Sequence, residues 1–193
     1  HIFVVIYKEG KAVMKLKGKN AKELYLEIIA QGFIKELSHA AYLGKELEKA
    51  KLLWFEEPID PTDLEGYKRL KTELVIPIAA GECLAGRHGF KDFISQRAID
   101  IAQPDTCAAG GITECRKIAD MASAYNIKFT PHVWGSPIAI AASLQLIASL
   151  PVKTLLEFDR SEKPIREEMK KSSIIREGSY IKVPQGPGLG ISI

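Results

Sequence analysis

Residues 74–83 read LVIPIAAGEC, a continuous apolar run that ends in Gly81-Glu82. Continuous rather than alternating apolar character marks a strand buried on both faces, as in the parallel sheets of α/β proteins. The same form recurs outward from it: KLLWFE (51–56), IDIAQPD (99–105), IKFTPH (127–132), KTLLE (153–157) and, upstream, LYLEIIA (24–30). The closing residues Ala30, Glu56, Glu82, Asp105, His132 and Glu157 lie 26, 26, 23, 27 and 25 residues apart. One β/α unit of a parallel barrel takes about that length, and such barrels build their active sites at the C-terminal ends of the strands. The spacing therefore predicts fold and site together, with an ionisable side chain at nearly every strand end.

Between these runs the pattern turns helical. In DLEGYKRLKTEL, Leu64, Tyr67, Leu70 and Leu74 recur at helical spacing, and FKDFISQRA is a short helix. Gly110-Gly111 turn into ITECRKIADMASAYN, whose Ile112, Cys115, Ile118, Ala119 and Ala122 share one face. Pro137 opens PIAIAASLQLIASL, apolar almost all round and so deeply packed. Strands alternating with helices of this length indicate parallel β/α architecture. The ends differ: IFVVIYKEGKAVMKLKG has the look of a hairpin turning at Glu9-Gly10, and EGSYIKVPQGPGLGISI is rich in Gly and Pro. If AVMKLK were a barrel strand, only about seven residues would join it to LYLEIIA, and a parallel crossover needs a dozen or more. Between Met14 and Leu24 we therefore expect either a gap in the chain, or Lys15 and Lys17 in the cap or a hairpin and not catalytic.

The bulk properties narrow the function classes. The 193 residues, 46% hydrophobic and 26% charged, suit one globular domain with a sizeable core. The net charge of +3 is spread through stretches such as KELEKAK that mix both signs, which reads as a solvated surface and predicts no nucleic-acid partner. No apolar run approaches the length of a membrane span and no leader opens the chain, so neither membrane nor export is expected. Cys83, Cys107 and Cys115 form no CxxC pair and read as reduced, mostly buried thiols of a cytoplasmic protein. There is no GxGxxG or GxxxxGK[ST] turn to hold a dinucleotide or a phosphate chain.

Two constellations carry chemistry. Glu56 and Glu82 end adjacent strands, and two hard carboxylate ligands from separate strands suit Mg²⁺, which leaves positions open for substrate and water. His132 closes its strand one unit after Asp105. A carboxylate there can accept from one ring nitrogen, fix the tautomer and raise the basicity of the imidazole, making His132 a general-base candidate.

WFEEP, AAGE, IAQPD, GGIT, TPHVWGSPI and LLEFD, in this order and spacing, resemble the enolase superfamily, and within it the mandelate racemase-like group with its acid-sugar dehydratases. The resemblance implies a modified (β/α) TIM-type barrel, of which strands about 3–8 would be present, with remnants of an α+β capping domain from both chain ends. It divides the chain into a cap remnant (1–14), a partial barrel (15–160) and a segment returning to the cap (161–193). It implies proton removal α to a carboxylate, through an enediolate stabilised by Mg²⁺. By resemblance Glu56 and Glu82 bind the metal and His132 and Asp105 form the catalytic dyad. Glu157 hydrogen-bonds the substrate carboxylate or enediolate, Lys17 is the opposing base, and Lys15 and Trp134 bind substrate. The usual metal-binding Asp of a D-x-N motif falls on Ala30, so the third ligand is absent or comes from elsewhere. The leading expectation is dehydration of an acid sugar by a homo-oligomer. The alternatives are a racemase or epimerase using Lys17 and His132 on opposite faces, or a ligand-binding relative without catalysis.

Overall fold

The computed structural model describes residues 15–16, 19–20, 37–49, 52–158 and 174–192. Among them are β1 (Lys15–Leu16), β2 (Lys19–Asn20), α1 (Leu37–Glu48), β3 (Phe55–Glu56), α2 (Leu64–Glu73), β4 (Ile78–Ala80) and α3 (Gly86–Ser95). There follow β5 (Ile101–Ala102), α4 (Gly111–Ala124), β6 (Lys128–Phe129), α5 (Pro137–Ala148), β7 (Arg176–Glu177) and β8 (Tyr180–Ile181). Neighbouring strands follow in sequence order, β3-β4-β5-β6, with β3 and β4 parallel and Phe55 opposite Ile78. Strand–helix alternation with sequential parallel strands is the α/β architecture of a partial barrel.

The chain divides into two compact units, residues 1–80 with 92–101, and residues 81–91 with 102–193. In the first, Phe55, Tyr67, Leu70, Ile78 and Ile94 are almost fully buried, and the Tyr67 ring meets Phe93 edge-on at 5.4 Å. Asp63 caps α2 by accepting from Gly66 N at 2.9 Å, which explains why the helix starts after the turn DPTD. Asp100 is the staple of this unit. Its carboxylate accepts from Ile78 N at 2.8 Å and pairs with Lys71, while its own N–H donates to Ile78 O at 2.8 Å. Glu48 likewise accepts from Val75 N at 2.5 Å, tying α1 to the segment that leads into β4.

In the second unit, α4 buries Cys115, Ile118, Ala119 and Ala122, the face expected from its periodicity. Ser136 caps α5 through Ala139 N, with Pro137 in the first turn. Ala139, Ile140 and Leu144 of α5 pack with Val133, and Leu156, Phe158, Ile174 and Ile181 close over them. Gln145 donates to Pro184 O at 2.8 Å and to Leu189 O at 3.2 Å, fastening the Gly/Pro-rich tail to the same helix.

Two expectations change, and the choice left open at the short junction narrows. α3 begins at Gly86, ahead of the FKDFISQRA stretch, because Glu114 of α4 accepts from Arg87 N at 3.0 Å and so caps it from another helix. Residues 153–157 form no strand: the Thr154 hydroxyl donates to Phe129 O, the acceptor that a ladder N–H would otherwise use. Lys15 pairs with Asn20 and Leu16 with Lys19, antiparallel, which is the hairpin arrangement of the two allowed by the short junction. The expected turn at Glu9-Gly10 and the strand 24–30 lie outside the described residues.

Gly81 tests the packing at the end of β4. Its φ is +133°, and a Cβ there would sit 2.6 Å from Phe90 Cζ, a fully buried ring. Gly111 also has positive φ, +84°, but a Cβ there meets nothing within 4 Å. Denaturant unfolding of Gly81→Ala should show a loss on the order of 2–4 kcal/mol, overpacking added to strain. Gly111→Ala should lose only about 1 kcal/mol from strain. Equal losses would show that the Phe90 contact does not constrain the strand end.

Candidate active site

The IAQPD and FTPH turns place the dyad. Each ends a strand with a proline, which has no N–H to continue the ladder and fixes its own φ. Asp105 and His132 follow these prolines, and both are buried. Asp105 Oδ2 lies 2.7 Å from His132 Nδ1, while Oδ1 accepts from Cys107 N at 2.6 Å. The Asp105 carbonyl accepts from Ala109 N at 2.7 Å. The carboxylate is thus held on both oxygens, and it aims the imidazole through Nδ1.

The other ring nitrogen faces two more acids. His132 Nε2 is 3.2 Å from Glu82 Oε2 and 3.8 Å from Glu157 Oε2. Glu157 is positioned by accepting from Val133 N at 3.1 Å. Burial of the His132 ring alone would lower its proton affinity. The Asp105 hydrogen bond and the charges of Glu157, Glu82 and Asp105 outweigh it and raise the pKa to about 9. Burial likewise works to raise the Asp105 pKa, but the hydrogen bonds from His132 and Cys107 N bring it below the ordinary Asp value. His132 is therefore an imidazolium at neutral pH, surrounded by carboxylates.

Glu56 lies in the first unit, at the end of β3, and is 3% exposed. Trp54 Nε1 donates to Glu56 Oε2 at 2.8 Å, a partner not anticipated from the sequence although the two residues are two apart on an extended chain and so share a face. Glu57 has φ +42° and is held by its N–H to Ala79 O at 3.0 Å. Trp134 follows the dyad histidine and is partly exposed. Lys15 lies in the β1–β2 pair, while Lys17 and Ala30 fall outside the described residues.

The cysteines correct an expectation, because Cys83 and Cys107 are exposed and only Cys115 is buried. The first two lie in loops just past strand ends, whereas Cys115 sits on the inward face of α4. There burial, with the charges of Asp105, Glu114 and Cys107, pushes its thiol up to about 12, so it is inert at neutral pH.

Glu56 and Glu82 are hard oxygen donors of the kind Mg²⁺ takes, and that ion is commonly held by one or two carboxylates with substrate and water completing its octahedron. Among the described residues no group of three or more His, Cys, Asp or Glu is arranged as a metal cage. Each carboxylate is thus chemically suited to Mg²⁺, and no metal site is assembled among the described residues.

The raised His132 pKa makes a signed prediction. Below the unfolded-state value of 6.5 the folded and unfolded chains both hold the proton, and the ion pairs contribute fully. As pH rises from 6.5 through about 9, the folded state retains a proton the unfolded state has lost, and stability falls with a slope of up to about 1.4 kcal/mol per pH unit. Denaturant unfolding of the wild type across this window should show that decline, and Glu82→Gln should shrink it by removing one of the carboxylate charges. A flat wild-type profile would contradict the charge arrangement.

With this geometry in place, comparison with known proteins becomes informative. A sequence profile described as "Enolase C-terminal domain-like" matches residues 10–193. The D-galactarolactone cycloisomerase of Agrobacterium fabrum is 37% identical over 165 residues, covering 81% of this chain and 44% of that protein. A D-galactonate dehydratase of Ralstonia pickettii is 39% identical over 160 residues, covering 80% of this chain and 42% of that protein. Among solved structures, the 3,6-anhydro-D-galactonate cycloisomerase from Zobellia galactanivorans superposes with a TM-score of 0.77 at 43% identity, covering 83% of this chain and 46% of that one. The chain spans less than half the length of these relatives. The chain belongs to the enolase superfamily, matching its C-terminal-domain family along nearly its whole length.

Proposed function

We propose that the chain takes part in Mg²⁺-dependent removal of the proton α to the carboxylate of an acid sugar, followed by loss of the β-hydroxyl. The observation that supports this reading most strongly is the His132 imidazole fixed by Asp105 at Nδ1, with Nε2 turned toward Glu82 and Glu157. Relatives that act on sugar acids or their lactones, a galactonate dehydratase and a galactarolactone cycloisomerase, point to the substrate class.

Glu56 and Glu82 are the residues that would hold Mg²⁺, whose charge would stabilise the dianion that develops on the substrate carboxylate. His132 does the proton work. With the Glu82 charge beside it, the ring is an acid at neutral pH and can protonate a departing β-hydroxyl from Nε2. With that charge engaged elsewhere, its proton affinity falls, which favours the neutral imidazole that accepts an α-proton. Asp105 keeps the ring in one orientation through both forms. Glu157, next to Nε2, is positioned to contact the substrate carboxylate end. Trp134 is a proposed wall of the binding site, whereas Lys15 pairs in the β1–β2 hairpin, the arrangement in which neither Lys15 nor Lys17 is expected to act as a base.

A second reading has specific support. The two cycloisomerases among the relatives differ from a dehydratase in the leaving group. If the oxygen that departs from the β-carbon belongs to a ring, it stays attached and the product is an isomer. If it is a free hydroxyl, water leaves. The proton chemistry is the same for both.

The chain supplied with Mg²⁺ and a panel of sugar acids and their lactones in D₂O separates these outcomes. Dehydratase and cycloisomerase both leave an enol that becomes a 2-keto acid, but the dehydratase product is lighter by one water and the cycloisomerase product keeps the substrate mass apart from deuterium, while a racemase exchanges the α-proton with no bond lost to oxygen. We expect the 2-keto product that is lighter by one water, and in His132→Asn a loss of at least about 10²-fold in turnover with the fold retained. Turnover unchanged in His132→Asn would remove His132 from the mechanism.

A further inference from the structure

We propose that Trp54 is a positioning residue that sets the carboxylate of Glu56 for cation binding, an inference that rests on the metal reading of Glu56 above. Three observations carry it. The indole Nε1–H donates to Glu56 Oε2 at 2.8 Å, within the 2.7–3.2 Å typical of a good N–H···O bond. The backbone on either side of Glu56 is fixed, through Phe55 N to Pro77 O at 2.8 Å and Glu57 N to Ala79 O at 3.0 Å. Trp54 itself is only partly buried, whereas Phe55 beside it is 1% exposed and supplies the core packing of this strand.

The division of labour follows from the pleat. Phe55 points into the hydrophobic interior, so Trp54 and Glu56 project from the other face together. With the main chain held, the indole restricts the torsions of the Glu56 side chain by holding one oxygen. Indole suits this role because it donates a single hydrogen and carries no charge. Lys or Arg at the same place would neutralise the carboxylate and compete with an incoming cation. A carboxylate oxygen that accepts one N–H retains lone-pair capacity, so the bond orients a ligand without consuming it. Partners of this kind around metal ligands typically change affinity 10- to 100-fold when removed.

The test uses the full chain and Mg²⁺ alone. The indole ¹⁵N–¹H resonance of Trp54, assigned against Trp54→Phe, should move when Glu56 is changed to Gln, because a charged acceptor becomes a neutral one. It should move again in the wild type on titration with Mg²⁺. Calorimetry should then show Mg²⁺ binding at least about tenfold weaker in Trp54→Phe than in wild type. The Phe ring keeps the aromatic body, so its unfolding midpoint in denaturant should stay close to wild type. If the wild type binds Mg²⁺ and Trp54→Phe binds it equally well, Trp54 does not position the ligand and the proposal is wrong. If the wild type binds no Mg²⁺, the metal reading fails instead. An indole resonance that ignores Glu56→Gln would overturn the proposal whether or not Mg²⁺ binds, even if Trp54→Phe proves too unstable to assay.

Discussion

A buried imidazole between acids is the constraint on which the second unit depends. His132 meets Asp105 at 2.7 Å, Glu82 at 3.2 Å and Glu157 at 3.8 Å, all with little solvent to share the charge. Bringing three carboxylates together without a cation would be costly, since like charges in a low dielectric raise one another's energy steeply. The imidazolium offsets that repulsion, which is why its proton is held up to about pH 9. The same arrangement makes His132 responsive. Its proton affinity depends on the neighbouring acids, so under the proposed function a substrate or cation that engaged them would lower it.

The scaffold supplies what this charge cluster needs, namely rigid strand ends. Pro104 and Pro131 stop the ladder just before Asp105 and His132, and the backbone of residues 107–109 folds back on Asp105. Gly81 lets β4 pass the Phe90 ring without a side chain of its own, just before Glu82. In the first unit, the Asp100 carboxylate and N–H both hold Ile78, which fixes the strand beside β3. Each of these devices acts on the backbone within a few residues of an ionisable group. That economy is typical of sites built on strand ends, where precision comes from the sheet and chemistry from the loops.

Much of this was legible in the sequence for a physical reason. Strands buried on both faces read as continuous apolar runs, and the residue that ends each run is the first one free to be polar. The recurrence of such endings therefore marks Glu56, Glu82, Asp105 and His132 in the sequence, and the adjacency of the last two matches the Asp105–His132 contact. What was not legible involves side chains reaching across sequence. The Thr154 hydroxyl takes a carbonyl that a ladder would have used, so residues 153–157 look like a strand in composition without forming one. Glu114 caps α3 from another helix, moving its start upstream of the apolar pattern. Trp54 resembled one more apolar residue in KLLWF, and only its distance to Glu56 shows the indole N–H at work. The exposure of Cys83 and Cys107 was also missed, because small thiols next to strand ends look apolar in sequence yet lie in loops.

The proton chemistry leans on the charge state of one ring. A ¹⁵N NMR titration of the His132 imidazole in the chain without added cation or substrate measures it directly. The account predicts that both ring nitrogens are protonated at pH 7, with a midpoint near 9. A neutral ring at pH 7, titrating at or below 6.5, would show that the three carboxylates do not act on His132 as described and would contradict the account.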